Sequence, residues 1–253
     1  MTGFGPLLRK ELLEQWRTWR MLVVAIVFAA FGIASPLLAR YTPELLKSLS
    51  GSTGVTITFP TPTMADAVDQ LLKNIGQTGI LAAILLAMGS VAVEKERGTA
   101  AMLLTKPASR LAFLSAKLAA IFATLFVSTA VAAGAAYVYT ALLFSPPPVP
   151  GFLGMSALLF LSLLGYASLT FLGSALTRSS IAAAGIGIGA MVLVALISAL
   201  PTVGQYAPGN LSAPAKALVV GGDAAVWGPL ASTLLLVALA FGLAVASFRR
   251  QEL

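Results

Sequence analysis

The chain contains no cysteine and no histidine, and only 10% of its 253 residues are charged. Without those two residue types it has no thiol nucleophile, no Ser-His dyad, no zinc centre and no haem attachment. The scarcity of charge excludes an ordinary soluble domain, in which about 25% of residues are charged and about 45–50% apolar. A G-x-x-x-x-G-K-[ST] phosphate loop is also missing, so this chain does not cradle nucleotide phosphates by the usual backbone nest. What it has in abundance is apolar sequence: 58% hydrophobic residues and a mean hydropathy of +0.93. These values describe an integral membrane protein.

A spanning helix needs roughly 20 apolar residues to cross about 30 Å of hydrocarbon. Six charge-free runs meet that length: residues 21–39, 76–93, 118–140, 152–176, 181–200 and 229–248. The long apolar stretch after Lys117 is divided by Ser145-Pro-Pro-Pro-Val-Pro-Gly151, and Thr177-Arg-Ser-Ser180 makes a short turn further on. The expected fold is all-α and integral to the membrane, one integral domain over residues 1–253, with six transmembrane helices. An even number of spans puts both termini on one side. Twelve of the sixteen Lys and Arg residues lie there, leaving only Arg40, Lys47, Lys73 and Lys216 on the other. The positive-inside rule therefore predicts cytoplasmic termini in a plasma membrane, and the charge of +7 is assigned to the membrane surface rather than to nucleic acid. The first apolar run exceeds the 7–15 residues of a cleavable signal, which predicts a retained anchor.

Three segments outside the spans carry patterns. Residues 6–20 place Leu8, Leu12, Leu13, Trp16 and Trp19 at helical spacing, with Arg9, Lys10, Glu14 and Arg17 on other faces. This predicts an amphipathic elbow helix in the headgroup layer, either a plain anchor or a helix that also meets a cytoplasmic partner. In the outer segment 40–75, Thr63 to Asp66 resembles a capping box, and Met64, Val68, Leu71, Leu72 and Ile75 share a helical face. In the outer segment 201–227, Ser212 and Pro214 are start signals and Gly221-Gly222 a stop.

The loop 94–117 between the second and third spans reads EKERGTAAMLLTKPASRLAFLSAK. Glu94, Lys95, Glu96 and Arg97 stand where the second span leaves the bilayer, Gly98 permits a sharp turn, and the apolar block to Leu104 requires a protein groove. Pro107 suits the first turn of the next helix, which Ser109, Arg110 and Lys117 continue. The sequence Glu-x-Glu-Arg-Gly-Thr, the Leu103-Leu104 pair, Lys106-Pro-x-Ser-Arg110 and Phe113-Leu-x-x-Lys117 resemble the loop of the ABC-2 type permease family, the six-span membrane subunits of ABC exporters. Arg9-Lys-Glu-Leu12 followed by Trp16-Arg17, Pro60 to Ala67, and Phe248-Arg-Arg-Gln-Glu-Leu253 are similar to the same family, so the likeness extends along the chain. There is some similarity to the permeases found with copper-enzyme maturation. With no His or Cys and seven scattered Met, however, no soft-metal pathway is legible.

The resemblance implies a coupling helix over residues 95–104, short, cytoplasmic and seated on an ABC ATPase subunit. The contacting residues would be Glu94, Lys95, Glu96, Arg97, Gly98, Thr99, Met102, Leu103, Leu104, Lys106, Pro107, Ser109 and Arg110. The elbow helix, with Arg9, Lys10, Glu11, Glu14, Trp16 and Arg17, would lie beside it. It further implies two permease copies or paralogues on two ATPase subunits, with ATP and Mg held by the ATPases and no cofactor on this chain.

No Asp or Glu falls inside the six runs, which disfavours a proton- or sodium-coupled carrier. Tyr137, Ser162, Tyr166 and Thr170 could line a pathway for an amphipathic or apolar substrate, although Ser and Thr in membrane helices commonly bond the backbone one turn back. Gly185-Ile-Gly-Ile-Gly189 offers close helix approach, read first as packing within the subunit. Two other readings stay open: a non-transporting scaffold or sensor that uses the same ATPase contact, and a membrane enzyme. The enzyme reading is weakened because a Ser-Lys pair would need a buried Lys that the spans do not supply.

Overall fold

A computed structural model describes residues 3–50, 61–98, 109–222 and 225–251, with backbone only for 46–50. Among these residues the protein is all-α, and six of its helices are long and apolar enough to cross a membrane. The chain runs α1 (Phe4–Arg17), α2 (Arg20–Ser50), α3 (Met64–Met88), α4 (Ala92–Glu96), α5 (Arg110–Leu143), α6 (Val149–Leu176), α7 (Ser180–Ser198), α8 (Ser212–Val220) and α9 (Trp227–Arg250). Two 3-10 turns, Gly204–Tyr206 and Pro208–Leu211, lead into α8.

Helix α6 is the centre of the bundle. It packs against α3, α5, α7, α8 and α9, and its Met155, Leu163, Ala167 and Phe171 are fully buried. Helix α2 flanks the bundle on α3 and α5, coming so close to α5 that a Cβ on Gly32 would meet the Ala132 carbonyl. Leu, Val and Ile side chains of α7 and α9 point away from the core, the pattern of helices that face lipid.

Several boundaries differ from the sequence reading. The elbow helix is Phe4–Arg17 rather than residues 6–20, because the chain bends at Thr18 and Trp19, where Trp19 takes φ 61°. Helix α2 does not stop at residue 39; it continues through Pro36 and Pro43 to Ser50. At Pro36, where a backbone donor is lost, the hydroxyl of Ser35 donates to the Phe31 carbonyl at 2.6 Å, and Asn74 Nδ2 from α3 donates to Ser35 Oγ at 3.0 Å.

The outer helix expected near Thr63 and the second span form one rod, α3, with no proline between Met64 and Met88 to separate them. Its start is as read: Asp66 accepts from the Thr63 N–H and hydroxyl, each at 2.8 Å, and Val68, Leu71, Leu72 and Ile75 are buried. At the far end α3 stops at Met88, five residues before the expected boundary, and a turn at Gly89 leads into α4. Ser109 is the N-cap of α5, accepting from the Ala112 N–H at 3.1 Å, so that helix begins at Arg110 rather than at Pro107. The start and stop read for residues 212–222 are present as α8, closed by Gly221 at φ 85°.

Helix α8 is not a surface helix resting on lipid. Pro214, Ala215 and Val219 are buried, and the α6 backbone approaches so closely at Gly151 that a Cβ there would lie 2.0 Å from the Leu218 carbonyl oxygen.

Candidate functional site

The end of the bundle that carries both termini gathers most of the paired charges. Helix α1 lies on α5, and the face it buries includes a carboxylate: Glu11 is 8% exposed. Lys117, seven residues into α5, is almost fully enclosed and reaches Glu11 at 3.1 and 3.2 Å and Glu94 at 2.9 Å. The same ammonium stands 5.1 Å above the Phe113 ring. Lys10 closes the set, 3.1 Å from Glu11, 3.2 Å from Glu94 and 3.8 Å from Glu14. Burial alone would lower the Lys10 pKa, but the carboxylates of Glu11 and Glu94 outweigh it and hold the ammonium above its ordinary value. Gln15 of α1 accepts from the Thr124 hydroxyl of α5, about two turns beyond Lys117. A cavity of about 160 Å³ adjoins this network, bordered also by Arg20 and Arg97.

A second set of contacts ties helix ends together. The α6 hydroxyl of Ser174 accepts from the N–H groups of Val91 and Ala92 at 3.0 and 2.9 Å, capping α4 from another helix. Lys95 donates at 2.7 Å to the Ala175 carbonyl near the C-terminus of α6, where a cation suits the helix dipole. Gln251 donates to the same carbonyl at 3.1 Å and accepts from Lys95 at 3.3 Å. Arg110 donates to the carbonyls of Phe248, Arg249 and Gln251 at 3.0, 3.0 and 3.2 Å, and beneath it Phe113 stacks on Phe248. The last turn of α9 is thereby fixed to the first turn of α5.

The residues read as a coupling surface therefore separate. Glu94, Lys95 and Arg110 are anchored in the body of the protein, whereas Glu96, Arg97 and Gly98 are exposed, Gly98 turning the chain at φ 68°. Thr99, Met102, Leu103, Leu104, Lys106 and Pro107 lie outside the described residues, and with them most of the coupling helix expected over 95–104. Of the elbow residues, Lys10, Glu11 and Glu14 join the network, while Arg9, Trp16 and Arg17 are exposed.

Sequence reasoning did not foresee that Glu11 would meet Lys117, nor the roles of Ser174 and Gln251. The expectation that the spans supply no buried Lys also needs correction: Lys95 is buried in α4, and Lys117 is buried within α5. Its partners are carboxylates, and a Ser-Lys pair is not what its geometry forms. Lys117 could have been suspected, because a cation one residue from a 23-residue apolar run sits where water is scarce and a partner is required.

The four candidate pathway residues part company as well. Ser162 and Tyr166 border a cavity of about 380 Å³ among α3, α6 and α8. Tyr137 lines a different, largely apolar groove between α5 and α6 with Phe126 and Phe160. Thr170 donates to the Tyr166 carbonyl at 2.9 Å and packs on Gly187, where a Cβ would lie 2.4 Å from its hydroxyl. In the glycine run, Gly187 alone makes the intramolecular contact; Gly185 and Gly189 face open space.

These features define a multi-pass helical membrane protein whose terminal side is cross-braced by buried charge. The chain belongs to the DUF2705 family, described as proteins of unknown function, which matches residues 45–210. It is also 28% identical over 251 residues to the uncharacterized transmembrane protein YxlG of Bacillus subtilis (strain 168), covering 97% of each chain.

Proposed function

We propose that this chain is the permease subunit of an ABC-2 type exporter, moving an amphipathic or hydrophobic substrate across the plasma membrane. In this reading the terminal side faces the cytoplasm, and a separate ATPase binds residues 94–110. That ATPase supplies ATP hydrolysis, and the second permease of the complex completes a two-fold pair. The observation that supports it best is the way Glu94, at the root of that loop, is tied through Lys117 to α5 and through Lys10 to the amphipathic helix α1. A push on the loop would reach α5 through a short ionic contact in a poorly solvated setting, where it resists separation, and α1 through the more exposed Lys10. Lys95, held to the end of α6, would pass the same push to the central helix. ATP shifts such an arrangement only by binding one state of the complex more tightly than the other.

The test is isolation from the native membrane followed by reconstitution. A co-purifying ATPase of unrelated sequence, whose hydrolysis rises with substrate, is the expected result; purification without any ATPase would remove the proposal. With the complex in hand, Glu94→Gln and Arg97→Ala are expected to lower transport per ATP hydrolysed while leaving membrane insertion unchanged. A co-purifying ATPase indifferent to every transported compound would favour the sensor reading instead.

A further inference from the structure

The cavity of about 380 Å³ lies on the side opposite the termini, among the first turns of α3, the middle of α6 and the start of α8. From Asp69 to Ile80 its α3 wall covers twelve residues, a depth of roughly 16 Å for the eleven rises of 1.5 Å between them. It reaches well below the outer ends of the helices, and its volume is in the lower range of small-molecule sites.

The polar groups around it have unused bonding capacity. Elsewhere on the spans, the hydroxyls of Ser156, Thr170, Thr177 and Thr233 donate to carbonyls one turn back. Those of Ser128, Thr129 and Ser168 are sealed in the packed interior without a partner among the described residues, whereas Ser162 and Tyr166 border a cavity. The side-chain hydroxyls of Ser162 and Tyr166, themselves one turn apart on α6, make no hydrogen bond among the described residues, although Tyr166 is only 8% exposed. Lys73 at the mouth has no carboxylate within ion-pair distance among the described residues, since Asp69 is taken by Lys216. Two ammoniums thus face one carboxylate. Between the mouth and the deep hydroxyls, the wall is formed mainly by Leu72, Ile80, Leu159 and Leu211, with Gln77 of α3 among them.

We infer that this cavity is a binding site for a small acidic amphiphile. The anionic head would sit at Lys73, the apolar body on the Leu and Ile wall, and an oxygen or the chain end would lie near Ser162 and Tyr166. A cationic amphiphile would meet two ammoniums at the mouth, and a wholly polar solute would leave the apolar wall without a partner. As the substrate class of the transporter proposed above, the inference rests on that reading. As a binding site it is tested on the permease alone, so failure of the ATPase assignment and failure of this one are distinguishable.

The experiment uses the full chain in phosphatidylcholine vesicles with a diazirine-bearing decanoate as photoprobe. Label is expected on peptides covering 69–80 and 159–166, competed by decanoate and not by decylamine. Lys73→Glu should lower labelling roughly ten-fold or more, the loss of one charge-assisted contact, and Lys73→Arg should retain it. Ser162→Phe, which fills the deep end, should lower labelling to a similar degree. Should that variant fail to insert, the exposed Lys73→Glu substitution carries the test by itself. Replacing part of the vesicle lipid with phosphatidylglycerol separates the two sources of such a ligand: loss of label assigns the site to the membrane's own acidic lipid, and persistence assigns it to a free amphiphile. Equal competition by decylamine, or unchanged labelling of Lys73→Glu, would overturn the proposal.

Discussion

The C-terminal turn and the middle of helix α6 show opposite uses of the same residue type. Near its C-terminus, Ser174 is fully buried and accepts two backbone N–H groups from the start of α4. Near its middle, on the side of the outer cavity, the Ser162 hydroxyl makes no bond at all among the described residues. The contrast extends to charge. On the terminal side Lys117 is enclosed between two carboxylates, whereas on the outer side Lys73 is exposed and has no such partner among the described residues. Polar groups whose bonds are all made hold helices in one arrangement; polar groups around open space can bind something that arrives. In the reading proposed here, the terminal end transmits displacement and the outer end receives a ligand.

The comparison can be broken most forcefully at Lys117. Lys117→Met removes the buried cation between Glu11 and Glu94, leaving them the more exposed Lys10, and should cost up to about 3–5 kcal/mol, read as a lowered unfolding midpoint in mild detergent. Adding Glu11→Gln should restore a measurable share of the loss. Additive penalties in that double-mutant cycle would mean that the pair is not coupled. Next comes Ser174→Ala, which leaves the two N–H groups of α4 without an acceptor and should cost about 1–3 kcal/mol, with faster hydrogen exchange at Val91 and Ala92 as a local readout.

Of similar size on the outer side is Gly151→Ala, whose methyl would be driven against the Leu218 carbonyl. A loss of about 1–3 kcal/mol is expected, together with faster proteolysis around α8. The smallest effect is expected at Ser162→Ala, within about 0.5 kcal/mol of wild type in the same unfolding assay, because no bond is lost. A penalty as large as that of Ser174→Ala would show that these two positions on α6 are not as different as their hydrogen bonds indicate.

Much of the architecture was legible in the residues. Apolar runs separated by Pro-rich or charged segments locate six helices, since each run alone is long enough to satisfy its own backbone across hydrocarbon. Thr63 with Asp66, and Ser212 with Gly221, marked helix limits because capping and φ > 0 are local requirements. The errors were also local in origin. Charge at Asp66, Asp69 and Lys73 looked like a boundary between an outer helix and a span, yet a helix continues through charged residues as long as one face stays buried and no proline intervenes. The sequence reading ends the first span at residue 39, but α2 continues through Pro43, and neighbouring side chains make it tolerant of Pro36.

The candidate sites were less legible, for a simple reason of distance. Glu11 and Lys117 are 106 positions apart, and Arg110 reaches carbonyls 138 to 141 positions away. Spacing along one helix cannot specify such pairs; only the order in which α1, α5 and α9 pack does so. Likewise, Ser162, Tyr166 and Thr170 share a helix and a residue class, but the neighbours on each face decide which hydroxyls meet a cavity and which meets Gly187.

From the sequence alone followed the number of spans, the side on which the cations concentrate and the dependence on lipid, because burial of apolar surface and the cost of charge in hydrocarbon act on each segment separately. The tertiary structure decided which polar groups are paired and which are left facing open space, because pairing requires two elements distant in the chain to arrive at the same place.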